Sequence, residues 1–381
     1  MTRSVEETMN MMELPIDKVL EIIKHDFEDE NYDPVIVLGK SGVGKTMSIY
    51  ELTQKLGIGF CEMRLVTMTE VDLLGIPTID QYGGTTYASN SLLPRVERDG
   101  ECGILVLDEI TSAERTVRAA AYQLLDSKRA LGNYKLPPKW KCIALGNGAS
   151  DGGVFQGMES AFLSRATCYR VEPDFNAWKK WAIPNGVNPK IIAFLNMHPE
   201  FIHKFDPDEI ATIFPCSRSW TALSKKLNAR ESRGKLSRDM VEIYAAGAVG
   251  VEAANYFGVF YEYSNKMISI DSILGGTATT DIDDIESEAM YIAVQSLVQA
   301  LTKKLSTNNE VSASAFKELG NAMEWTARIG MKVKDYAMVV VRDLTASCDE
   351  YRDIMIGDRY DELIKLAPTL PKFLESAQSL V

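Results

Sequence analysis

The sequence predicts an α/β fold, a parallel sheet with helices on both faces, followed by a helical region. Three observations carry this. Short, wholly apolar runs rich in β-branched residues recur at Val35-Ile36-Val37-Leu38, Ile104-Leu105-Val106-Leu107 and Cys142-Ile143-Ala144-Leu145. Such runs suit strands buried on both faces of a parallel sheet. Helical stretches at 45–56 and 114–128 lie between them, and strand–helix alternation implies parallel crossovers. After Pro173 the strand-like runs largely stop and helical spacing takes over.

Taken in order, Ile16, Val19, Leu20 and Ile23 recur at helical spacing over 16–28, and Asp33-Pro34 ends that helix. Beyond residue 173, helices are predicted over 174–182, 188–197, 217–229, 237–256, 287–305 and 312–329. In the fifth, Tyr291, Val294, Val298, Leu301 and Leu305 make one apolar face. The polar run from Gly275 to Thr280 reads as a loop before the final helices. Three domains are expected: an α/β domain over 1–173, a helical domain over 174–275 and a helical extension over 276–381.

Composition narrows the function classes. The 381 residues carry 46% hydrophobic and 25% charged residues, an ordinary globular balance that supports a sizeable core. A net charge of −12 disfavours bulk binding to nucleic acid or to an anionic membrane. Six cysteines without a C-x-x-C pair, and three histidines, supply neither a zinc framework nor a disulfide scaffold. No apolar run reaches the ~20 residues of a membrane helix, and Met1–Leu14 lacks a basic-then-apolar signal pattern. The expected compartment is the cytoplasm, with no membrane partner.

The strongest motif is Gly39-Lys40-Ser41-Gly42-Val43-Gly44-Lys45-Thr46, a full G-x-x-x-x-G-K-[ST] between an apolar strand and a helix. Glycines let backbone N–H groups curl around a phosphate, and the helix N-terminus adds partial positive charge. The nucleotide-binding candidates are these eight residues and Met47. Lys45 faces the β- and γ-phosphates, and Thr46 offers a hydroxyl to Mg²⁺. Lys40 precedes the phosphate-wrapping turn and is expected to point away. The second motif is the strand 104–107 ending in Asp108-Glu109. Strand ends face the ligand crevice of a parallel sheet. Asp108 is the second Mg²⁺ candidate, and Glu109 is the candidate to polarise the attacking water. Third, the strand 142–145 runs into Gly146-Asn147, where the Asn147 amide could orient that water. Two arginines, Arg165 and Arg218, could stabilise transition-state charge at phosphate; spacing alone favours surface ion pairs. Ser217 is expected to cap the helix that carries Arg218.

Together these residues resemble the AAA+ superfamily, and within it the MoxR-like, dynein-related ATPases of the CbbQ and NorQ type, over about residues 16–260. The resemblance implies a P-loop NTPase sheet (the AAA+ core), an α-helical lid and, here, a helical C-terminal extension. It makes Lys45 and Thr46 the Walker A pair, and Asp108 and Glu109 the Walker B pair. Asn147 becomes sensor 1, Arg165 an arginine finger acting on the neighbouring subunit, and Arg218 the lid's sensor 2. Ser164-Arg165-Ala166 departs from the usual finger pattern, which leaves Arg170 as the alternative. Asp72–Pro77 looks like the segment before the helix-2 insert, Tyr82–Leu93 like its hairpin, and Gly132–Pro137 like the hairpin before sensor 1. Trp178 and Trp181 resemble the pattern that opens the lid.

The function so implied is hydrolysis of MgATP in a homo-oligomeric ring, usually a hexamer, to remodel a protein client, with ATP and Mg²⁺ as cofactors. Family members commonly serve clients with a von Willebrand factor A domain. Two alternatives stand beside it: an AAA+ motor on nucleic acid, and a nucleotide-binding partner module with little hydrolysis. A GTPase lacks support because no Asn-Lys-x-Asp motif occurs, and a small-molecule kinase would need neither finger nor lid.

Overall fold

A computed structural model of the protein describes residues 11–148, 165–206, 212–234, 236–263, 268–283, 285–306 and 311–378. Two compact units divide after Asp174, with Phe205 and Asp206 belonging to the first. Among the described residues no helix is long and apolar enough to cross a membrane.

In the first unit, the described elements are β1 (Glu13–Leu14), α1 (Ile16–Glu28), β2 (Val35–Gly39), α2 (Lys45–Leu56), β3 (Gly59–Arg64), α3 (Glu70–Leu74), β4 (Ile76–Ile79), β5 (Thr85–Ala88), α4 (Val96–Asp99), β6 (Cys102–Asp108), α5 (Arg115–Ala121), β7 (Ala130–Leu131), β8 (Tyr134–Lys135), β9 (Lys139–Gly146) and β10 (Thr167–Val171). Six strands form one sheet in the order β1-β10-β2-β9-β6-β3, and every pairing is parallel. Alternation explains the apolar runs. Val35, Val37, Ile104, Val106, Ile143 and Leu145 bury one face against Val19 and Ile23 of α1 and Ile49 and Leu52 of α2. Ile36, Leu38, Leu105, Leu107, Cys142 and Ala144 bury the other against Val117, Ala120 and Ala121 of α5. Successive strand side chains alternate faces, so a strand covered on both sides must be apolar throughout. The expected fold class is therefore what is observed.

Three sheet strands lacked a signal in the sequence. β1 has two residues, and β3 and β10 carry polar residues because they lie at or near the sheet edge, where one face is only partly covered. The predicted helix 114–128 is shorter: α5 ends at Ala121, and a single 3₁₀ turn follows over Tyr122–Leu124. The insert hairpin is built from β4 and β5, turning at Asp80–Gly84, so it begins before the Tyr82–Leu93 segment expected. The second hairpin, β7–β8, turns at Gly132-Asn133 within the expected segment.

The regular elements described in the second unit are all helices. It comprises α6 (Phe175–Ala182), α7 (Pro189–Met197), α8 (Ser217–Glu231), α9 (Arg238–Val249), α10 (Val251–Glu262), α11 (Ile270–Leu274), α12 (Ser287–Leu305), α13 (Ala313–Gly330), α14 (Lys334–Ser347), α15 (Asp349–Ile356), α16 (Tyr360–Leu366) and α17 (Leu370–Gln378). The single helix predicted over 237–256 is two. Gly250 adopts φ 86°, and a Cβ there would stand 2.4 Å from the Ile213 carbonyl, so the chain breaks at this glycine. Ser217 is not the cap of α8. It is the first helical residue, and the Ser219 hydroxyl accepts the Cys216 N–H at 2.9 Å.

Helices on both sides of residue 275 share one core. Ile191 and Phe194 of α7 and Trp220 of α8 belong to the same buried cluster as Val298 of α12, Leu319 of α13 and Phe373 of α17. A buried polar contact adds to it: Lys179 of α6 donates to Asp343 of α14 at 2.9 Å, and Gln295 of α12 donates to the second oxygen of Asp343 at 2.9 Å.

Candidate nucleotide site

The phosphate-loop motif sits between β2 and α2, at the C-terminal edge of the parallel sheet. Glycine is needed at Gly39 because a Cβ would lie 2.3 Å from the Val171 carbonyl of the neighbouring strand. Gly44 caps α2 with φ 96°, in the left-handed region where a side chain is strained. The helix therefore opens at Lys45 with its first N–H groups directed at the loop, the arrangement that receives phosphate.

Lys45 is nearly buried, at 8% exposure. Its ammonium donates to the Gly39 carbonyl at 2.6 Å, the Lys40 carbonyl at 3.0 Å and the Asn147 side-chain oxygen at 3.1 Å. The last bond joins residues 102 apart in sequence and ties the phosphate loop to the end of β9. Lys40 points away from the loop and pairs with Glu172, just past β10, at 3.0 Å.

Asp108 ends β6 and is likewise nearly buried. One carboxylate oxygen accepts from the Thr46 hydroxyl at 3.0 Å and the other from the Glu109 N–H at 2.9 Å. Glu109 holds φ 57°, a left-handed backbone unusual outside glycine. Holding a glutamate there costs of order 1–3 kcal/mol, and such strain collects at functional positions. The hydroxyl of Thr46 and the carboxylate of Asp108 fit Mg²⁺: both are hard oxygen donors, and Mg²⁺ takes one or two protein ligands with water and phosphate completing its shell. Among the described residues there is no cluster of three or more His, Cys, Asp or Glu that would cage a metal by itself.

The backbone of Asn147 is held by Thr111, a residue outside the motifs. Its N–H donates to the Thr111 hydroxyl at 3.0 Å, and a Cβ on the preceding Gly146 would meet the Thr111 side chain at 2.6 Å. Thr111 stands three residues past Asp108, and that spacing was the only hint in the sequence. A second overlooked pair is Glu62 and Arg64 on β3. Arg64 lies opposite Asp108 in the β3–β6 register. Burial pushes the Glu62 carboxyl up, the negative charges of Asp108 and Glu109 push it further, and Arg64 opposes them.

Arg165 precedes β10 and pairs with Asp126 at 3.4 Å in an exposed contact. Thr167 lies opposite Val35, so Arg165 stands near the start of β2 while the phosphate loop follows that strand's end. Arg170 is held within β10 by Glu172 at 2.9 Å and Glu13 at 3.7 Å. Arg218 is an exposed residue of α8, in the helical unit. Met47, at 57% exposure, presents its side chain outward from the first turn of α2.

A parallel sheet with a phosphate loop, a strand-end Asp-Glu pair and a polar sensor on the strand between them defines a P-loop nucleotide-binding domain of the AAA+ class. Residues 34–166 match the family described as the AAA domain of the dynein-related subfamily. The chain therefore carries an AAA domain of that subfamily. Among solved structures it is similar to one described as a "putative ATPase" from Cytophaga hutchinsonii ATCC 33406, at 12% identity over 86% of this chain and 90% of that one, with a TM-score of 0.33, a loose likeness.

Proposed function

We propose that the protein hydrolyses MgATP in an oligomeric ring and uses the cycle to remodel a partner protein in the cytoplasm, as a MoxR-like ATPase of the CbbQ and NorQ type. The observation that carries this reading is one network at the sheet's C-terminal edge. In it Lys45 is bonded to Asn147, Thr46 to Asp108, and Asp108 to the backbone of Glu109.

Each residue has a task in that arrangement. The N–H groups at the start of α2 bind phosphate, and Lys45 exchanges its carbonyl partners for the β- and γ-phosphate oxygens. Thr46 and Asp108 hold Mg²⁺, which supplies charge neutralisation and orientation of the phosphates. Glu109 accepts a proton from the attacking water, and Asn147, fixed by Thr111, orients that water.

Arg165 acts on a neighbouring subunit. About 13 Å of strand separates the level of Val35 from that of Gly39, at ~3.3 Å per residue, which is beyond an arginine's reach to its own phosphate loop. Its pair with Asp126 is exposed and screened, so the neighbour's phosphate can displace it. Arg218 serves as sensor 2. The client, for which a von Willebrand factor A domain protein is the family's usual type, binds the assembled ring.

The test is ATP turnover in mixtures of Arg165→Ala and Lys45→Ala protein. Mixing restores part of the activity that both variants lack alone, because an intact finger then faces an intact phosphate site. Specific activity also rises with protein concentration. Concentration-independent turnover by a monomer contradicts the ring.

A further inference from the structure

The register of the edge strand places a cation beside the proposed magnesium ligand. β3 pairs in parallel with β6, with Phe60 opposite Ile104, Glu62 opposite Val106 and Arg64 opposite Asp108. Residues opposite each other on adjacent strands share a face. Phe60, Ile104 and Val106 lie on the face packed by α1 and α2, so Glu62, Arg64 and Asp108 project on that side too. Cys61 and Met63 turn to the opposite core. Arg64 is the last residue of β3 and so stands at the ligand edge of the sheet.

The ion pair between Arg64 and Glu62 is a long one. Its guanidinium lies 3.7 Å from the Glu62 carboxylate, with the Arg64 side chain 55% exposed. Glu62 in turn feels the negative charges of Asp108 and Glu109. Three carboxylates thus gather at one strand edge with one arginine among them, and a weak, half-exposed pair is cheap to rearrange.

We propose that Arg64 is a nucleotide-sensing cation of its own subunit, paired with Glu62 when no nucleotide is bound and turning to the terminal phosphate when ATP binds. This rests on the reading of the phosphate loop as an ATP site. Mg²⁺ at Asp108 would lower the negative charge that faces Arg64 across the strand pair. The planar guanidinium then finds two acceptor oxygens on one phosphate, a fit that an ammonium cannot reproduce. ADP lacks that phosphate, so Arg64 favours ATP over ADP. It differs from Arg165 in standing at the same edge of the sheet as its own phosphate loop.

The experiment is equilibrium binding of a fluorescent non-hydrolysable ATP analogue and of fluorescent ADP, both with Mg²⁺, to wild type, Arg64→Ala and Arg64→Lys. Arg64→Ala is expected to lose about tenfold in affinity for the ATP analogue, the scale of a charge-assisted contact to phosphate. ADP affinity should stay within about twofold, and Arg64→Lys should recover part of the loss. Equal losses for both nucleotides, or no loss for either, overturn the role of Arg64. If wild type binds neither nucleotide, the ATP-site reading itself fails, which is a separate result.

Discussion

Lys45 is the residue on which the charge balance of the loop depends. Its ammonium donates to two carbonyls and the Asn147 amide oxygen, neutral acceptors that a phosphate can outbid. Lys40, the loop's other lysine, is committed to Glu172 and cannot stand in. Lys45→Ala is therefore expected to abolish nucleotide binding or nearly so, measured by fluorescent ATP titration. Unchanged affinity would remove the loop from the site. At this scale the motif residues were legible because phosphate chemistry dictates both residue type and spacing. Thr111 and Arg64 were not, since a hydroxyl aiming an amide and an arginine across a strand pair depend on register, which no local pattern encodes.

Among the elements, helices with strong periodicity were legible to within a residue or two, as α1 and α2 are. Edge strands were not, because a half-covered strand need not be apolar. The break at Gly250 was missed because α9 and α10 continue the same helical spacing, and only the approach of Ile213 reveals why glycine stands there. Gly250→Ala is expected to destabilise the helical unit by at least about 1–2 kcal/mol, the scale of forcing a Cβ into a left-handed backbone. The carbonyl contact adds to that. Thermal unfolding checks it, and an unchanged Tm would mean that the turn relaxes freely. The Lys179–Asp343 pair makes a second element-scale test. Both side chains are almost fully buried, and burial lowers the Lys179 pKa while Asp343 raises it in opposition. Asp343→Ala leaves the lysine uncompensated and is expected to cost about 3–5 kcal/mol, whereas an apolar replacement of both partners costs less, the remainder being the Gln295 amide left without its acceptor. Denaturant titration of single and double variants separates the two.

For the whole molecule, the chain divides into two compact units after Asp174. What the sequence could not convey is that the helices beyond residue 275 complete the core begun before it. The Gln299 amide donates to the Val187 carbonyl at 2.7 Å, and Val298 and Leu301 of α12 are fully buried in the cluster that holds Ile191 and Ile192. A chain ended at residue 275 would expose that apolar surface. It is expected to lose cooperative unfolding of its helical region and to aggregate. A soluble fragment with a sharp transition in that region would show that the first helices fold alone.

The central claim is that this network turns over ATP with Glu109 as the base. Wild type and Glu109→Gln should be compared for fluorescent MgATP binding and for phosphate release in the same preparation. Binding should be comparable and turnover about 10²–10⁴-fold slower in Glu109→Gln, the scale of general-base catalysis. Equal turnover by the two proteins, or no Mg²⁺-dependent binding of ATP by wild type, would contradict it.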